Sequence, residues 1–456
     1  MKDVFVVISR DDWNSLRSSS FTADGNENAG VLLCGTADTA QERRLLVRRI
    51  VSVPLESYIA RETYHLEVAP AFYNRIVTEC LRDHMTPVIF HSHPHHSDAW
   101  YSASDDFGET RLLNVLKSLL PQTSPASLVM TRSSATGREL HGDGFRTLTG
   151  IKIVGIRSMT KRFVGTSKKE RQEISDRFDR QVRAFGEEGQ RVLEELKIGI
   201  VGVGGIGSLV AEQLARSGIR DFALIDDDLV EASNVSRLFG SVASHTGRRK
   251  VEVVGEHLEA LGAQKVQQVA DSAIRQEILL KLRGRDLIFS CVDNDRTRAL
   301  LNRFAYQYIV PVIDLGTRLD ARTGRTTASA GRVSVVGPGM VCLRCSNHLN
   351  PERIRAESLP KHEREALYRE GYIMGIDEPA PAVVSLNTVV AGLGATAGLN
   401  LFVGLTGADQ PVEQIYDAST GSVFPVTPVH AESCDVCSED KGGKGVGDLQ
   451  IVSAYD

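Results

Sequence analysis

The sequence predicts an α/β protein built from two domains, and three observations support this. The chain has 456 residues, which is too long for a single hydrophobic core. Residues 1–157 mix short β-rich runs with two helical stretches, which predicts an N-terminal α-β-α domain. From Leu196 onward, strand patterns alternate with helix patterns, and this alternation predicts a doubly wound parallel sheet with helices on both faces.

The boundaries follow from changes in composition. A charged segment at 158–175 is expected to link the first domain to a second domain at 176–440. A charged, Pro-interrupted stretch at about 350–381 breaks the strand and helix alternation and is interpreted as a crossover loop with its own helix. Residues 441–456 are expected to form a flexible tail.

Composition excludes several function classes. Lys and Arg number 53 against 58 Asp and Glu, giving a net charge of −5, which does not support a nucleic-acid partner. The N-terminus lacks the apolar core of a signal peptide, and the Gly-rich run at 389–405 is shorter than the roughly 20 residues needed to cross a membrane. We therefore expect no membrane partner and interpret 389–405 as a buried helix. The seven cysteines do not suggest a disulfide framework, because four of them fall in two C-x-x-C pairs, so we also expect a reducing cytoplasm.

A pair of histidines follows a short apolar strand. Residues 88–90 are apolar, and His91 and His93 come next at the spacing that puts both side chains on one face of a strand. A serine and carboxylates follow after a polar loop. Two histidines and an aspartate are the ligands of a catalytic zinc, whose open position activates water. A glutamate is then needed to move the proton to the leaving amine.

This stretch resembles the motif of the JAMM/MPN (JAB) metalloproteases, H-x-H-P followed by S-x-x-D, with a glutamate before the first strand. The matching residues are His91, His93, Pro94, Ser102, Asp105 and, in "ENAGVLLCG", Glu27. The resemblance implies that His91, His93 and Asp105 bind a catalytic zinc and that Glu27 is the proton shuttle.

The match has one departure and one alternative interpretation. The interval from His93 to Ser102 is one residue longer than in the usual motif, so that Tyr101 falls where the serine would stand without a gap. Asp106 is the fallback ligand, and His95 or His96 could also enter the site. The alternative is that the first domain is a non-catalytic MPN scaffold that binds the substrate.

A glycine-rich loop opens the second domain. A strand, a glycine loop and a helix follow one another, an arrangement that brings backbone amides close to phosphate groups. The glycines are Gly202, Gly204, Gly205 and Gly207. Asp226, which closes the next strand, would suit a ribose. On these residues alone, an NAD-dependent oxidoreductase remains an alternative.

The residues after the loop resemble the ThiF/MoeB/HesA family, the adenylating domain of ubiquitin-activating enzymes. The pattern D-x-D, N-x-x-R, G-x-x-K and D-N is met by Asp226, Asp228, Asn234, Arg237, Gly247, Lys250, Asp293 and Asn294. One position departs from the family, because Leu238 stands where a glutamine is usual. The stretch "RFDRQVRAFGEEGQ" also resembles the opening of that domain, and it contains Arg180.

The resemblance implies an ATP- and magnesium-dependent adenylation of a C-terminal carboxylate. Arg237, Lys250 and Arg180 would supply the cations, and Asp293 would be the magnesium ligand. Asp226 and Asp228 would hold ribose or the metal. Because Arg180 would reach the ATP site of a second subunit, the resemblance also implies a homodimer.

Seven cysteines occur in the chain, and four of them form two C-x-x-C pairs, which predicts a structural four-cysteine zinc site. These four are Cys342, Cys345, Cys434 and Cys437. The others, Cys34, Cys80 and Cys291, lie on apolar elements. The resemblance implies that a thioester cysteine would lie in the crossover loop at 350–381, and none of the three is in that loop. We therefore expect adenylation without an enzyme thioester.

Together these features predict a bifunctional enzyme. One half would adenylate the C-terminus of a ubiquitin-like or sulfur-carrier β-grasp protein, and the other would cleave peptide or isopeptide bonds at that C-terminus. A conjugating enzyme is a further candidate partner. The alternatives are an adenylyltransferase with a non-catalytic first domain and an oxidoreductase with a structural zinc.

Overall fold

The structure is a computed structural model. It describes residues 2–142, 144–163, 173–322, 325–369 and 381–438. The predicted tail at 441–456, half of the predicted linker (164–172) and residues 370–380 of the predicted crossover loop lie outside the described residues.

The N-terminal part is built on a nine-stranded mixed sheet with the strand order β11-β10-β1-β3-β2-β6-β7-β8-β9. A separate ribbon consists of β4 and β5. The strands are β1 Asp3–Ser9, β2 Ala29–Asp38, β3 Glu42–Ser52, β4 Tyr58–Arg61, β5 Leu66–Val68, β6 Thr86–Ser92, β7 Ala126–Met130, β8 Ala135–His141, β9 Gly144–Thr147, β10 Gly150–Val154 and β11 Met159–Arg162. The helices are α1 Arg10–Ser20, α2 Pro70–Asp83 and α3 Ala103–Leu119.

Alternating apolar residues give this sheet two buried faces. Trp13 and Leu16 of α1 pack on one face. On the other face, α2 and α3 cover β2 and β6, with Ile76 among the buried residues. The N-terminal part therefore has the predicted three layers. Because β11 pairs with β10, the sheet continues beyond the predicted boundary at residue 157.

The C-terminal part contains an eight-stranded sheet with the order β14-β13-β12-β15-β16-β17-β18-β19. Its strands are β12 Lys197–Val201, β13 Asp221–Ile225, β14 Lys265–Val269, β15 Leu287–Ser290, β16 Val312–Arg322, β17 Arg325–Val336, β18 Glu413–Asp417 and β19 Ser422–Val426. Its helices are α4 Asp179–Glu195, α5 Gly205–Arg216, α6 Lys250–Ala260, α7 Gln276–Leu279, α8 Asp295–Gln307, α9 Pro351–Ser358, α10 Lys361–Arg369 and α11 Val384–Val403.

The strands β14, β13, β12, β15 and β16 are parallel, and the last three strands are antiparallel. The predicted doubly wound α/β fold is thus confirmed, with an antiparallel extension. The order of the parallel strands reverses between β12 and β15. At such a point the loops after the two strands diverge and leave a crevice at the carboxyl edge of the sheet, where ligands bind.

Helix α11 contains most of the apolar run at 389–405. By length and composition alone it could cross a membrane, but more than half of its most apolar stretch is buried inside the protein. It packs on α5, β16 and β17, where Gly394 lies against Leu315. These contacts are those of a buried core helix, as predicted.

A buried network of charges joins the two parts. Arg44 of β3 lies 2.5 Å from Glu42 and 2.9 Å from Asp286, which precedes β15. Lys152 of β10 lies 2.6 Å from Asp286, and Lys197 of β12 lies 2.6 Å from Glu42. Although burial opposes it, the cations of Lys152 and Arg44 hold the pKa of Asp286 below its usual range. Each buried charge is therefore paired across the boundary between the two parts.

Candidate active sites

The N-terminal part brings the two predicted histidines and Asp105 together. His91 and His93 follow the apolar core of β6, and their Nε2 atoms lie 3.1 Å apart. Asp105 lies 3.3 Å from Nε2 of His91 and 3.5 Å from Nε2 of His93. One ligand atom from each of the three residues lies within 4.8 Å of the others. Both histidines are buried, so the cluster sits in a pocket rather than on a surface.

The geometry of α3 explains how Asp105 reaches the histidines. Ser102 is the N-cap of this helix, and its hydroxyl accepts a hydrogen bond from the Asp105 backbone amide at 3.2 Å. In return, Asp105 Oδ2 accepts from the Ser102 amide at 2.8 Å. This capping box fixes the first turn of the helix. In this structure Ser102 positions Asp105 through that cap.

A residue that the motif did not include completes the cluster. Glu109 lies one helical turn after Asp105, and its Oε1 atom is 3.1 Å from Nδ1 of His91. Arg138 approaches Glu109 from β8, with an N–O distance of 3.5 Å. The i, i+4 spacing from Asp105 was a signal that could have revealed Glu109, because it puts both carboxylates on one face of α3.

The charges of this pocket shift the pKa values of His91 and Asp105. Burial alone would lower the pKa of His91, but the carboxylates of Asp105 and Glu109 raise it to about 10. Against the opposing effect of burial, hydrogen bonds from His91 and His93 hold the pKa of Asp105 well below its usual range. These are paired groups in a pocket of low solvent access.

Glu27 lies beside the histidine pair. Its Oε1 atom is 3.8 Å from Nε2 of His93. Its backbone amide donates to Glu62 O at 3.0 Å, which fixes the segment before β2. Burial raises the pKa of Glu27 above the usual glutamate range. A buried carboxylate beside a metal-binding cluster is suited to carry a proton.

The alternative ligands occupy other positions. Asp106 pairs with Arg138 at 2.5 Å. His95 lies 2.9 Å from Gly25 O through its Nε2 atom, and His96 packs edge-on against Trp100. Tyr101 directs its hydroxyl to Ser127. The loop from His93 to Ser102 accommodates its one additional residue before α3 begins. Asp105 therefore still faces the histidines.

The donor set fits zinc. Two imidazoles and one carboxylate converge within bonding reach of one point, and three protein ligands leave an open position, as catalytic zinc sites do. Glu109 beside His91 is the kind of carboxylate that orients a metal-binding imidazole and selects its tautomer. His91, His93 and Asp105 would hold the ion.

The C-terminal part places its glycine loop between β12 and α5. Gly202 has φ 84°, and a Cβ atom there would lie 2.7 Å from Cys291 O, after β15. A Cβ atom on Gly207 would lie 1.9 Å from Gly202 O. The loop thus folds tightly against the end of β15, and the N-terminus of α5 points its amides into the crevice. Gly204 is the N-cap of α5, and Gly205 is its first residue.

Two aspartates after β13 have different positions. Asp226 is half-buried and accepts from the backbone amides of Val203 at 2.6 Å and Asp228 at 2.9 Å. It therefore braces the glycine loop, and burial raises its pKa. Asp228 is exposed and lies 2.6 Å from Nζ of Lys250, at the start of α6. A ribose or a metal ion at this edge would meet both carboxylates.

Arg237 and Asn234 lie beside the glycine loop. The aliphatic part of Arg237 packs near Gly205, where a Cβ atom would lie 3.3 Å from its Cδ atom. Its guanidinium donates to Ser233 O at 2.9 Å. Asn234 is buried and accepts from the Glu231 amide at 3.0 Å, so it holds the turn that carries Arg237.

Two predicted residues stand apart from these contacts. Asp293 is exposed after β15, and among the described residues it does not join the cluster formed by Asp226, Asp227 and Asp228. Arg180 is exposed on α4, a helix interrupted at Phe185 and Gly186. Asn294 is the N-cap of α8 and accepts from the Thr297 amide at 2.8 Å.

The four predicted zinc ligands meet at one point. Their sulfurs lie within 4.8 Å of one another, and the pairs Cys342–Cys434 and Cys345–Cys437 are each 3.6 Å apart. Around a tetrahedral zinc with Zn–S of about 2.3 Å, sulfurs are separated by about 3.8 Å. A hydrogen bond with Cys437 leads the effects that lower the pKa of Cys342 to about 5. The cluster fits zinc and ties the C-terminal segment to the core.

The remaining cysteines are enclosed. Cys34 and Cys80 are buried, and Cys291 is half-buried. Burial raises the pKa of all three thiols, that of Cys80 to about 12. Such thiols are poor nucleophiles at neutral pH.

The fold, the crevice and the glycine loop define a nucleotide-binding α/β protein. Residues 178–436, more than half of the chain, match the ThiF family. The chain therefore belongs to the ThiF family. The expected ThiF/MoeB-type domain is confirmed by this match.

Three curated relatives show what the chain is similar to. It is 24% identical over 279 residues to the molybdopterin-synthase adenylyltransferase of Escherichia coli (strain K12), covering 59% of this chain and 99% of that protein. It is 32% identical over 126 residues to the tRNA threonylcarbamoyladenosine dehydratase of Haemophilus influenzae, covering 27% of this chain and 48% of that protein. It is 28% identical over 221 residues to ubiquitin-like modifier-activating enzyme 5 of Drosophila mojavensis, covering 45% of this chain and 49% of that protein. The chain thus spans about half the length of the last two.

Proposed function

We propose that residues 176–440 use ATP to adenylate the C-terminal carboxylate of a ubiquitin-like or sulfur-carrier β-grasp protein. The observation that carries this proposal is the closed glycine loop at the strand-order reversal, flanked by Arg237 and Lys250. A loop of this kind brings backbone amides to phosphates, and the two cations would stabilise the charge that develops on the phosphates.

The chemistry accounts for these residue types. The carboxylate oxygen attacks the α-phosphorus of ATP, and the bond to the pyrophosphate oxygen breaks. Arg237 and Lys250 would stabilise the charge on the phosphates, and Arg180 would act from a second subunit of a homodimer. Asp293 would hold magnesium, which neutralises phosphate charge when bound. Asp226 would keep the loop in shape through its backbone contacts.

The share of each relative that the chain matches favours a protein carboxylate as the group that accepts AMP from ATP. The match to an adenylyltransferase spans 99% of that relative, whereas the match to a dehydratase spans 48% of its relative. A further relative is named for activating a ubiquitin-like modifier. If the activated protein is transferred to targets, a conjugating enzyme would receive it. We propose that the reaction takes place in the cytoplasm.

ATP–pyrophosphate exchange tests this half of the proposal. Exchange is expected only when a β-grasp protein with an intact C-terminus is present, and Arg237→Ala should abolish it. Arg275→Ala, which removes an exposed ion pair in the same domain, is the matched control and should retain exchange. An oxidoreductase would show no exchange with any β-grasp protein.

We further propose that the N-terminal part, a JAMM/MPN-type domain, cleaves peptide or isopeptide bonds at that same C-terminus. The observation that carries this is the convergence of His91, His93 and Asp105 in one pocket, with Glu27 beside it. Zinc, when bound there, supplies a Lewis acid and activates water. Glu27 would take up the proton of the water and deliver it to the leaving amine, aided by a pKa that burial raises.

A β-grasp protein with a C-terminal extension is the substrate for the corresponding test. The wild-type chain should release the extension, and Glu27→Gln should abolish the release while keeping the zinc content. Glu56→Gln changes an exposed glutamate of the same domain and should have no effect. A wild-type protein that has its full zinc and leaves every such fusion intact would support the scaffold alternative.

A further inference from the structure

The loop between the histidines and α3 is anchored through Ser97 and Ala99. The carbonyl oxygen of Ser97 accepts hydrogen bonds from the hydroxyls of Thr131 at 2.9 Å, Ser133 at 2.6 Å and Ser134 at 3.1 Å. The amide of Ala99 donates to Ser134 Oγ at 2.7 Å. The loop that carries the additional residue is therefore held in place by the turn between β7 and β8.

This anchored loop presents a tryptophan at the mouth of the histidine pocket. The ring of Trp100 stands edge-on to His96, with centroids 4.3 Å apart, and its centroid is 5.5 Å from that of His93. Trp100 is nevertheless 43% exposed. A large apolar ring is thus packed against a predicted metal ligand on one side and open to solvent on the other.

A second aromatic side chain flanks the same histidines. Tyr64, in the turn between β4 and β5, is 71% exposed and lies 6.0 Å from His96 and 6.1 Å from His95, measured between ring centroids. The turn is tied to the proton-shuttle segment, because the Glu27 amide donates to Glu62 O. We call Tyr64, His96 and Trp100 the aromatic rim.

We propose that the aromatic rim is the subsite that selects the hydrolase substrate, and that it binds an apolar side chain next to the cleaved amide. This inference rests on the proposed hydrolase function. The rim is continuous with the metal-binding pocket through the Trp100–His93 contact, so an extended chain lying across His91 and His93 would pass over it. An aromatic ring held by its surroundings, as Trp100 is by His96 and the anchored loop, loses little conformational entropy on binding and is therefore an effective anchor.

The chemistry of the rim defines the class of substrate. Its groups are two aromatic rings and an imidazole, which favour Leu, Phe or a similar side chain over Ser or Asp. Trp100 is the specificity-determining residue because it contacts both His93 and His96. Burial of one such side chain should strengthen binding about tenfold or more.

Tryptophan fluorescence gives a readout that does not depend on hydrolysis. The chain has two tryptophans, and Trp13 is buried, so Trp13→Phe leaves Trp100 as the sole reporter. The reference probe is a ten-residue peptide of Gly and Ser. In each of the other probes, one residue next to the central amide, either before or after it, is replaced by Leu or Phe. In a chain that also carries Glu27→Gln, which should keep its zinc but not cleave, peptides containing Leu or Phe should shift Trp100 emission and bind about tenfold more tightly than the Gly/Ser peptide.

Substitutions at the rim complete the test, with peptide binding measured by calorimetry. Trp100→Ala should remove the preference for Leu and Phe, and Trp100→Phe should retain most of it. Phe424→Ala, at an exposed aromatic residue of β19, is the matched control and should change nothing. In cleavage assays, Trp100→Ala should raise KM for peptides with Leu or Phe by a larger factor than it changes kcat, whereas Phe424→Ala should change neither constant.

The outcomes separate this inference from the function on which it rests. Equal affinity of the wild-type chain for all peptides, or an unchanged preference in Trp100→Ala, would overturn the aromatic subsite. A preference that depends on Trp100 in a chain that cleaves none of these peptides would support the subsite and count against the hydrolase.

Discussion

His91 lies between two carboxylates: its Nδ1 atom is 3.1 Å from Glu109, and its Nε2 atom is 3.3 Å from Asp105. With Glu109 on Nδ1, the proton of a neutral imidazole is held there, and Nε2 is left free to bind a metal. Glu109 is thus a positioning residue for the proposed zinc site.

Replacement of Glu109 tests this role. Glu109→Gln should weaken zinc binding at the histidine site by about 10- to 100-fold, because the amide no longer fixes the imidazole tautomer. A competition titration with a chromophoric chelator measures the affinity. Asp106→Asn, on the same helix and exposed, is the control and should bind zinc as the wild type does. Equal losses in both variants would show that Glu109 has no special role.

The close packing of the glycine loop gives a second prediction. In Gly207→Ala the new methyl group would meet Gly202 O, and since backbone atoms lie on both sides, the loop must move. ATP binding should therefore fall below detection in calorimetry. Gly392→Ala, in α11, creates only an ordinary contact and should bind ATP normally. Normal ATP binding by Gly207→Ala would argue against this loop as the phosphate site.

The buried charges between the two parts predict a large effect on stability. Asp286→Ala leaves Arg44 and Lys152 buried without this partner, which should cost about 3–5 kcal/mol in the free energy of unfolding. Glu256→Ala removes an exposed pair with Arg248 and should leave the free energy of unfolding close to that of the wild type, because solvent screens such a pair. Denaturant unfolding followed by circular dichroism compares the two variants.

The same network predicts a pH dependence. Because the pKa of Asp286 is lower in the folded protein than in the unfolded chain, its contribution to stability is present above the unfolded value of about 3.9 and is lost as the pH falls below it. The unfolding free energy of the wild type should therefore decrease more steeply below about pH 4 than that of Asp286→Asn. Parallel curves for the two proteins would contradict the assignment.

Arg180 tests the proposed homodimer. Arg180→Ala should impair ATP–pyrophosphate exchange and leave zinc content intact, because the residue is exposed on α4, outside both metal-binding clusters. Mixing Arg180→Ala with Arg237→Ala should restore part of the exchange, since hybrid dimers contain one intact site. Full exchange by Arg180→Ala alone would argue against action across subunits.

Much of the fold follows from local patterns in the sequence. The alternation of strands and helices after Leu196 predicted the parallel sheet, and the spacing of His91 and His93 predicted their shared face. The antiparallel strands β17 to β19 were not predicted, because their pairing depends on contacts between β17 and β18 that are distant in sequence.

The candidate sites were predicted in part. Residues within a motif, such as His91 and Asp105, were found because their chemistry has a fixed spacing. Glu109, the hydroxyls that hold Ser97 and the exposed ring of Trp100 depend on how separate loops meet in space. The charge network around Asp286 was missed for the same reason, since its members come from four separate segments of the chain.

The number of zinc ions bound per chain tests the central claim most directly, namely that the first domain holds a metal in addition to the four-cysteine cluster. Elemental mass spectrometry of the purified protein should find two zinc ions per chain in the wild type. It should find one in a double variant with His91→Ala and His93→Ala, and one in Cys345→Ser. A wild-type value of one that the histidine substitutions leave unchanged would contradict the account.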